Sequence, residues 1–290
     1  MKYFNTVAFI ITLSFAGHLC QANDKIITYV KPEGIKDNRS EYFVKLLALA
    51  LEKTATPLNT RHLKATPNTM KQGRAIHELA QGRSIDVVWT VTSVDREKQL
   101  LPVRIPLLKG LLGHRVLLIR KEDKNKFAAV NNIKDLQQYT AGQGHDWPDT
   151  EILRANQFTV TTTSTYDGLF EMLAAHRFDF FPRGINEAWQ EIETQANPNM
   201  IVEDNILLYY PSPIYFFVNN HAQLLAKRLE KGLTLSIEDG SFDRLFYSYH
   251  PHKKMFAMGR LNQRKVITLS NPLLPPLTPL KNKKLWYNLK

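Results

Sequence analysis

Short apolar runs rich in β-branched and aromatic residues alternate with stretches of helical period along most of this chain. Residues 25–30 (KIITYV), 85–91 (IDVVWTV) and 113–123 (GHRVLLIRKED) are runs typical of strands. Between the first two lies 40–53 (SEYFVKLLALALEK), where apolar residues recur at helical spacing behind Ser40, a suitable N-cap. Strands that alternate with helices form parallel or mixed sheets that the helices cover. An α/β fold is therefore predicted.

The alternation continues after a polar stretch at residues 121–132, which predicts a crossing into a second unit. The β-rich segment 206–220 (ILLYYPSPIYFFVNN) is interrupted by two prolines, so the chain is expected to change sheets there. Helices follow as far as His250. The tail 271–290 is rich in proline and is predicted to be extended. Its apolar spacing and Trp286 favour packing against the body, and a loose tail is the alternative.

The N-terminal segment 1–22 has the layout of a secretory signal peptide, with Lys2 before an apolar run and small residues at its end. Cleavage after Ala22 and export to the periplasm are predicted, with an uncleaved or lipidated anchor as the alternative. The single cysteine, Cys20, would leave with this segment, which excludes a disulfide from the mature chain. The net charge of +11 favours small anionic partners. Lysines and arginines are scattered along the chain, so no nucleic-acid partner is expected.

No catalytic or metal-binding motif stands out. The chain has no His-Glu-x-x-His zinc motif, no Gly-x-Ser-x-Gly nucleophile turn and no phosphate-binding loop of the Walker type. Its nine histidines are dispersed. We therefore predict no metal, no cofactor and no catalytic residue, and a protein that is not an enzyme.

Three stretches in order resemble the family 3 extracellular solute-binding proteins, the periplasmic amino-acid-binding proteins of ABC transporters. They are 82–103 (GRSIDVVWTVTSVDREKQLLPV), 133–156 (IKDLQQYTAGQGHDWPDTEILRAN) and 209–249 (from YYPSPIYFF to RLFYSY). The resemblance covers nearly the whole mature chain and marks a divergent member. It implies a two-lobed type II periplasmic-binding fold, in which each lobe is a mixed sheet flanked by helices.

The same resemblance sets the expected lobes and function. Lobe one is expected at 23–120, lobe two at 121–211, and a return to lobe one at 212–290. A small carboxylate-bearing solute, an amino acid or related organic anion, would bind between the lobes and close them by hinge motion for ABC-type uptake. The alternatives are a sensory or partner-binding module, a dehydratase-like enzyme, or a cleft that has lost its ligand. A monomer is expected, with a membrane permease or membrane sensor as partner.

In that family a turn arginine holds the α-carboxylate of the bound amino acid, and Arg96 matches it. A planar guanidinium gives two parallel hydrogen bonds to a carboxylate. Ser93 matches a threonine that contacts the same carboxylate, and Val91 would offer backbone groups. An exposed arginine paired with Asp95 or Glu97 is the alternative for Arg96.

Two aromatic residues of lobe one are further candidates for the cleft. Trp89 ends a buried strand, where it would line either the cleft or the core. The family's aromatic hairpin is missing because residues 31–43 are too few for it. Tyr29 or Tyr42 is the expected substitute.

Lobe two is expected to contribute Gln143 and Trp147 from a glycine turn that precedes a helix, although Trp147 also suits a helix-entry contact. The family's ammonium-binding carboxylate would fall close to Arg183. An arginine cannot neutralise an ammonium, so Arg183 suggests a second anionic group on the ligand. Glu187 would either meet an ammonium or pair with Arg183.

Overall fold

The computed structural model describes residues 26–32, 40–56 and 62–287. The predicted signal peptide lies outside these ranges. The first lobe begins with seven elements: β1 (Ile27–Lys31), α1 (Glu41–Glu52), β2 (Leu63–Thr69), α2 (Gln72–Ala80), β3 (Val88–Val91), α3 (Val94–Gln99) and β4 (Leu100–Val103). Strand β2 pairs parallel with β1. Its sequence, LKATPNT, is polar and contains a proline, so apolar alternation does not reveal it.

The second lobe contains β5 (His114–Arg120), α4 (Lys124–Ala128), α5 (Ile133–Leu136), β6 (Ala141–Gly144), α6 (Pro148–Ala155), β7 (Val160–Thr163), α7 (Tyr166–Ala174), β8 (Phe180–Gly184), α8 (Ala188–Gln195), β9 (Met200–Val202) and β10 (Ile206–Tyr209). β5 lies between β10 and β8, and β6 and β7 follow β8 in the sheet. Every residue of β5 is buried, as expected for a central strand.

The chain then returns to lobe one with β11 (Ile214–Asn219), α9 (Gln223–Glu238) and α10 (Ser241–Ser248), followed by α11 (His250–Met258) and β12 (Lys265–Thr268). β11 pairs antiparallel with both β3 and β4, and an isolated bridge from Tyr29 to Val87 joins β1 to this sheet. Helix α9 packs closely on α1, because a Cβ on Gly232 would lie 1.9 Å from the carbonyl oxygen of Ala50.

Two boundaries differ from those expected. We expected lobe one to continue to residue 120, but Val116 of β5 pairs with Arg183 of β8, so β5 belongs to lobe two. The first crossing therefore falls at residues 104–113. The sequence also places the tail in lobe one, yet β12 pairs parallel with β10 at the edge of the lobe-two sheet. The apolar run of β5 indicates that the strand is buried but not which sheet accepts it. In β12 only Ile267 is buried, so the sequence indicates neither the strand nor its sheet.

Candidate functional site

The arginine turn of lobe one is a capped helix start. Ser93 is the N-cap of α3, and its hydroxyl accepts a hydrogen bond from the Arg96 backbone N–H at 3.2 Å. The Arg96 guanidinium donates to the Val91 carbonyl oxygen at 2.7 Å and to the Gln72 side-chain oxygen. The side chain is therefore turned inward, and Arg96 is only 9% exposed.

The alternative of an exposed Arg96 paired with its neighbours is wrong. Asp95 pairs with Lys98 at 2.9 Å, and Glu97 pairs with Arg104 at 2.5 Å. Within the described residues, no carboxylate oxygen lies within 4.0 Å of the Arg96 guanidinium. Its two acceptors are neutral.

Burial lowers the pKa of Arg96 to about 10, although the more distant charges of Asp146 and Asp149 act in the opposite direction. Arg96 is still a cation at neutral pH. The low dielectric of a buried site strengthens electrostatic attraction. An anion that approaches a buried cation with neutral acceptors is therefore bound strongly.

Arg183 of lobe two has the opposite environment. Its guanidinium donates two hydrogen bonds to Glu191, at 2.7 and 2.6 Å, and lies 3.1 Å from a carboxylate oxygen of Glu187. It also stacks over Trp147 and Phe181, 4.9 Å from each ring centre. Burial alone would lower the pKa of Arg183, but the two carboxylates outweigh it and raise that pKa. Its charge is thus compensated within the protein.

Another buried arginine of lobe two, Arg115 on β5, lies close to Arg183 and shares Glu187 with it. Its guanidinium is 2.6 Å from a carboxylate oxygen of Asp149 and 3.7 Å from one of Glu187. The Tyr210 hydroxyl donates a further hydrogen bond to Asp149. Neither Arg115 nor Asp149 was predicted as a site residue. The available signal was an arginine inside the otherwise apolar run RVLLI, because buried charges are found paired.

These groups surround a cavity of about 240 Å³ between the two lobes. Of the predicted residues, five belong to its wall: Trp89, Val91, Trp147, Arg183 and Glu187. The remaining four, Tyr29, Ser93, Arg96 and Gln143, lie behind that wall. Two further polar residues of the wall are Gln72 of lobe one, which accepts from Arg96, and Tyr166 of lobe two, which donates to Glu191 at 2.8 Å.

The residues behind the wall have identifiable partners. Gln143 is fully buried, and its side-chain nitrogen donates to the Pro182 carbonyl oxygen at 3.3 Å. The Tyr29 ring packs 5.9 Å from that of Trp89, which itself stacks on Phe43 at 5.6 Å. Tyr42 points away, donating from its hydroxyl to the Leu107 carbonyl oxygen.

The two walls carry opposite charge. Lobe one supplies Lys31 and Lys71 to the wall, with Arg96 behind it. Lobe two supplies three carboxylates to the wall, those of Asp146, Asp149 and Glu187, and two cations, Arg115 and Arg183. A fourth carboxylate, Glu191, lies behind the wall and pairs with Arg183. Asp146 also accepts a hydrogen bond from the Gly73 N–H of lobe one at 3.2 Å, which links the lobes across the cavity.

The described part of the chain gives no sign of a membrane helix or a metal centre. No helix there is long and apolar enough to cross a bilayer. No group of three histidine, cysteine or acidic side chains in the same residues is arranged to hold a metal ion.

No family model matches the sequence, and neither does any curated protein. Solved structures do match. The amino acid ABC transporter substrate-binding protein AbpA from Streptococcus pneumoniae, bound to L-arginine, is 13% identical with a TM-score of 0.59, covering 81% of this chain and 97% of its own. The ancestral amino acid-binding protein AncCDT-1, a precursor of cyclohexadienyl dehydratase, is 14% identical with a TM-score of 0.58, covering 77% and 95%.

A histidine kinase sensor domain with similarity to periplasmic binding proteins matches as well, 15% identical with a TM-score of 0.57, covering 79% of this chain and 97% of that one. At such identities the likeness shows the fold alone. The predicted α/β, two-lobed type II periplasmic-binding fold is thereby confirmed.

Proposed function

We propose that this chain is an exported solute-binding protein, a divergent member of the family 3 extracellular solute-binding proteins. It captures an α-amino acid or a closely related small carboxylate-bearing zwitterion between its lobes in the periplasm. The observation that carries the proposal is the buried Arg96 of lobe one. Its acceptors within the described residues, Val91 and Gln72, are neutral and belong to the cavity wall, opposite a lobe-two wall with more carboxylates than cations.

The opposed charges favour a zwitterion over a dianion. A ligand carboxylate would replace the Gln72 side-chain oxygen on Arg96, and each charge-assisted hydrogen bond contributes about 1.5–3 kcal/mol. The second anionic group suggested by Arg183 is not needed, because Glu191 already compensates that charge and accepts two hydrogen bonds from it. Asp149 is likewise paired with Arg115 at 2.6 Å. Glu187, which lies on the wall near both arginines, is the further carboxylate that suits a ligand ammonium.

A ligand held from both walls stabilises the closed arrangement of the lobes. Hinge closure needs contacts that the ligand makes in the closed state and not in the open one. Contacts to Arg96 on one lobe and to Glu187 on the other have this property. We infer a monomer that presents its closed form to an ABC-type permease.

The second candidate is a sensory module that passes the same closure to a membrane protein. The similarity to a histidine kinase sensor domain favours it.

Thermal unfolding with pairs of amino acids and the keto acids of the same carbon skeleton tests the proposal. A ligand at a hundred times its dissociation constant should stabilise the protein by about 2.7 kcal/mol. That corresponds to a rise in Tm of roughly 5–10 °C, at about 2–4 °C per kcal/mol. Amino acids should give this rise, and their keto acids a smaller one.

Matched variants assign the roles. Arg96→Ala should abolish the shift in Tm with every ligand. The control is Arg104→Ala, which removes a partly exposed arginine that pairs with Glu97, the residue after Arg96, and this variant should keep the shift. Glu187→Gln should reduce the shift in Tm that amino acids produce and leave the shift that keto acids produce unchanged. Equal shifts for wild type and Arg96→Ala, or no shift with any compound, would refute amino-acid binding at this cavity.

A further inference from the structure

The chain is longer than the shared fold requires. The matched structures are covered almost completely, at 95–97% of their own length, but they cover only 77–81% of this chain. The predicted signal peptide of 22 residues explains less than half of the unmatched fifth. Residues 264–287, here called the strap, form the C-terminal part of the described chain.

The strap begins with a firm attachment to lobe two. Strand β12 pairs with β10 over four successive residues, from Lys265 to Thr268. Just before it, the buried Arg264 donates to the Gly259 carbonyl oxygen at 2.7 Å and to the Glu203 carbonyl oxygen at 2.6 Å. Ile267 and Leu269 are buried in the lobe-two core.

The strap then contacts the second crossing between the lobes. Leu269 N–H donates to the Tyr209 carbonyl oxygen at 2.8 Å, at the end of β10. The Asn271 side chain donates to the Pro211 carbonyl oxygen at 2.7 Å and accepts from the Leu273 N–H at 2.9 Å. Asn271 thus fixes both the crossing and the course of the strap.

Further contacts of the strap are with lobe one and with the first crossing. The Val94 N–H, in the first turn of α3, donates to the Leu273 carbonyl oxygen at 3.0 Å. The Trp286 ring lies over Gly110, where a Cβ would meet it at 2.2 Å, and the Tyr287 N–H donates to the Lys109 carbonyl oxygen at 2.8 Å. The strap therefore touches both crossings and the helix that carries Arg96.

We propose that the strap holds the two lobes in one relative orientation, and that the cleft opens only when the strap releases lobe one. It stays bound to lobe two in that step, because a paired strand and the buried Arg264 attach it there, whereas isolated contacts attach it to α3 and residues 109–110. This inference rests on the proposed function, since it describes how access to the same cleft is controlled.

The experiment measures the distance between the lobes without any solute. Glu171→Cys on α7 and Glu230→Cys on α9 are both exposed positions, and with Cys20→Ser they are the only thiols. Spin labels at these sites report the distribution of distances between the lobes. Hydrogen exchange of the Val94 amide reports whether the strap is attached.

The wild type should give one narrow distribution and a protected Val94 amide. The double variant Asn271→Ala and Trp286→Ala should add a longer-distance population and speed Val94 exchange at least tenfold, while Ile267 of β12 stays protected. Leu280→Ala, in the same segment and 47% exposed, is the matched control and should behave as the wild type.

Three outcomes would overturn the proposal: a broad wild-type distribution, a rapidly exchanging Val94 with unchanged distances in the double variant, or no change in Val94 exchange. The last would show that Asn271 and Trp286 do not attach the strap. Because no solute is added, the result is independent of whether the cleft binds amino acids.

Discussion

The buried pair of Arg183 and Glu191 offers a direct test of the charge distribution on which the ligand class depends. Glu191→Ala removes the carboxylate that accepts two hydrogen bonds from the Arg183 guanidinium and leaves Arg183 with Glu187 at 3.1 Å. It also removes the acceptor of the Tyr166 hydroxyl. Breaking a buried ion pair from one side costs about 3–5 kcal/mol. We expect a loss of about 3 kcal/mol, near the lower limit, because Glu187 remains.

Urea unfolding followed by circular dichroism gives the free energy of unfolding for each variant. The control is Glu171→Ala, an exposed carboxylate on α7, which should change the stability by less than about 0.5 kcal/mol. Adding Arg183→Met to Glu191→Ala should recover at least half of the loss, since the second change removes the buried cation that has lost its two hydrogen bonds to Glu191.

A loss below about 1 kcal/mol for Glu191→Ala would refute this reasoning. Arg183 would then be solvated or mobile in solution, and its charge would be available to a ligand. In that case the dianionic ligand first suggested by Arg183 would again be favoured over a zwitterion.

Two further predictions concern the backbone and the pH. Gly110→Ala should destabilise the protein by more than Gly240→Ala. Both glycines have positive φ, +75° and +74°, so the backbone strain is similar. A Cβ at position 110 would meet the Trp286 ring at 2.2 Å, whereas one at position 240 would meet only the flexible side chain of Arg244 at 3.4 Å. Equal losses in urea unfolding would contradict the ring contact. Burial lowers the pKa of His252 from 6.5 to about 4, so the unfolded chain binds the extra proton between these values and stability should fall as the pH decreases through that window, by at most about 3 kcal/mol. His252→Gln should show a shallower loss between pH 6.5 and 4.5, and an unchanged slope would show that His252 is not responsible.

Helix and strand type follow from local patterns that do not depend on the rest of the fold. Apolar residues at helical spacing in 40–53 predicted α1, and the continuous run 85–91 predicted β3, because burial of one face or of both faces leaves a direct mark on composition. The sequences of strands β2 and β12 show no such apolar pattern. Each lies at the edge of its sheet, where one side lacks a neighbouring strand and polar residues are tolerated.

The sequence by itself determined the alternation of elements and the place of Arg96 in the turn that follows a buried strand. Only the tertiary structure decided how the charges are compensated. Glu191 meets Arg183 and Asp149 meets Arg115 through sheet order and helix packing, across separations of 8 and 34 residues that no local pattern encodes. Charge compensation is a property of distances in space, and for that reason the proposal of a zwitterionic ligand rests on the fold and not on the sequence.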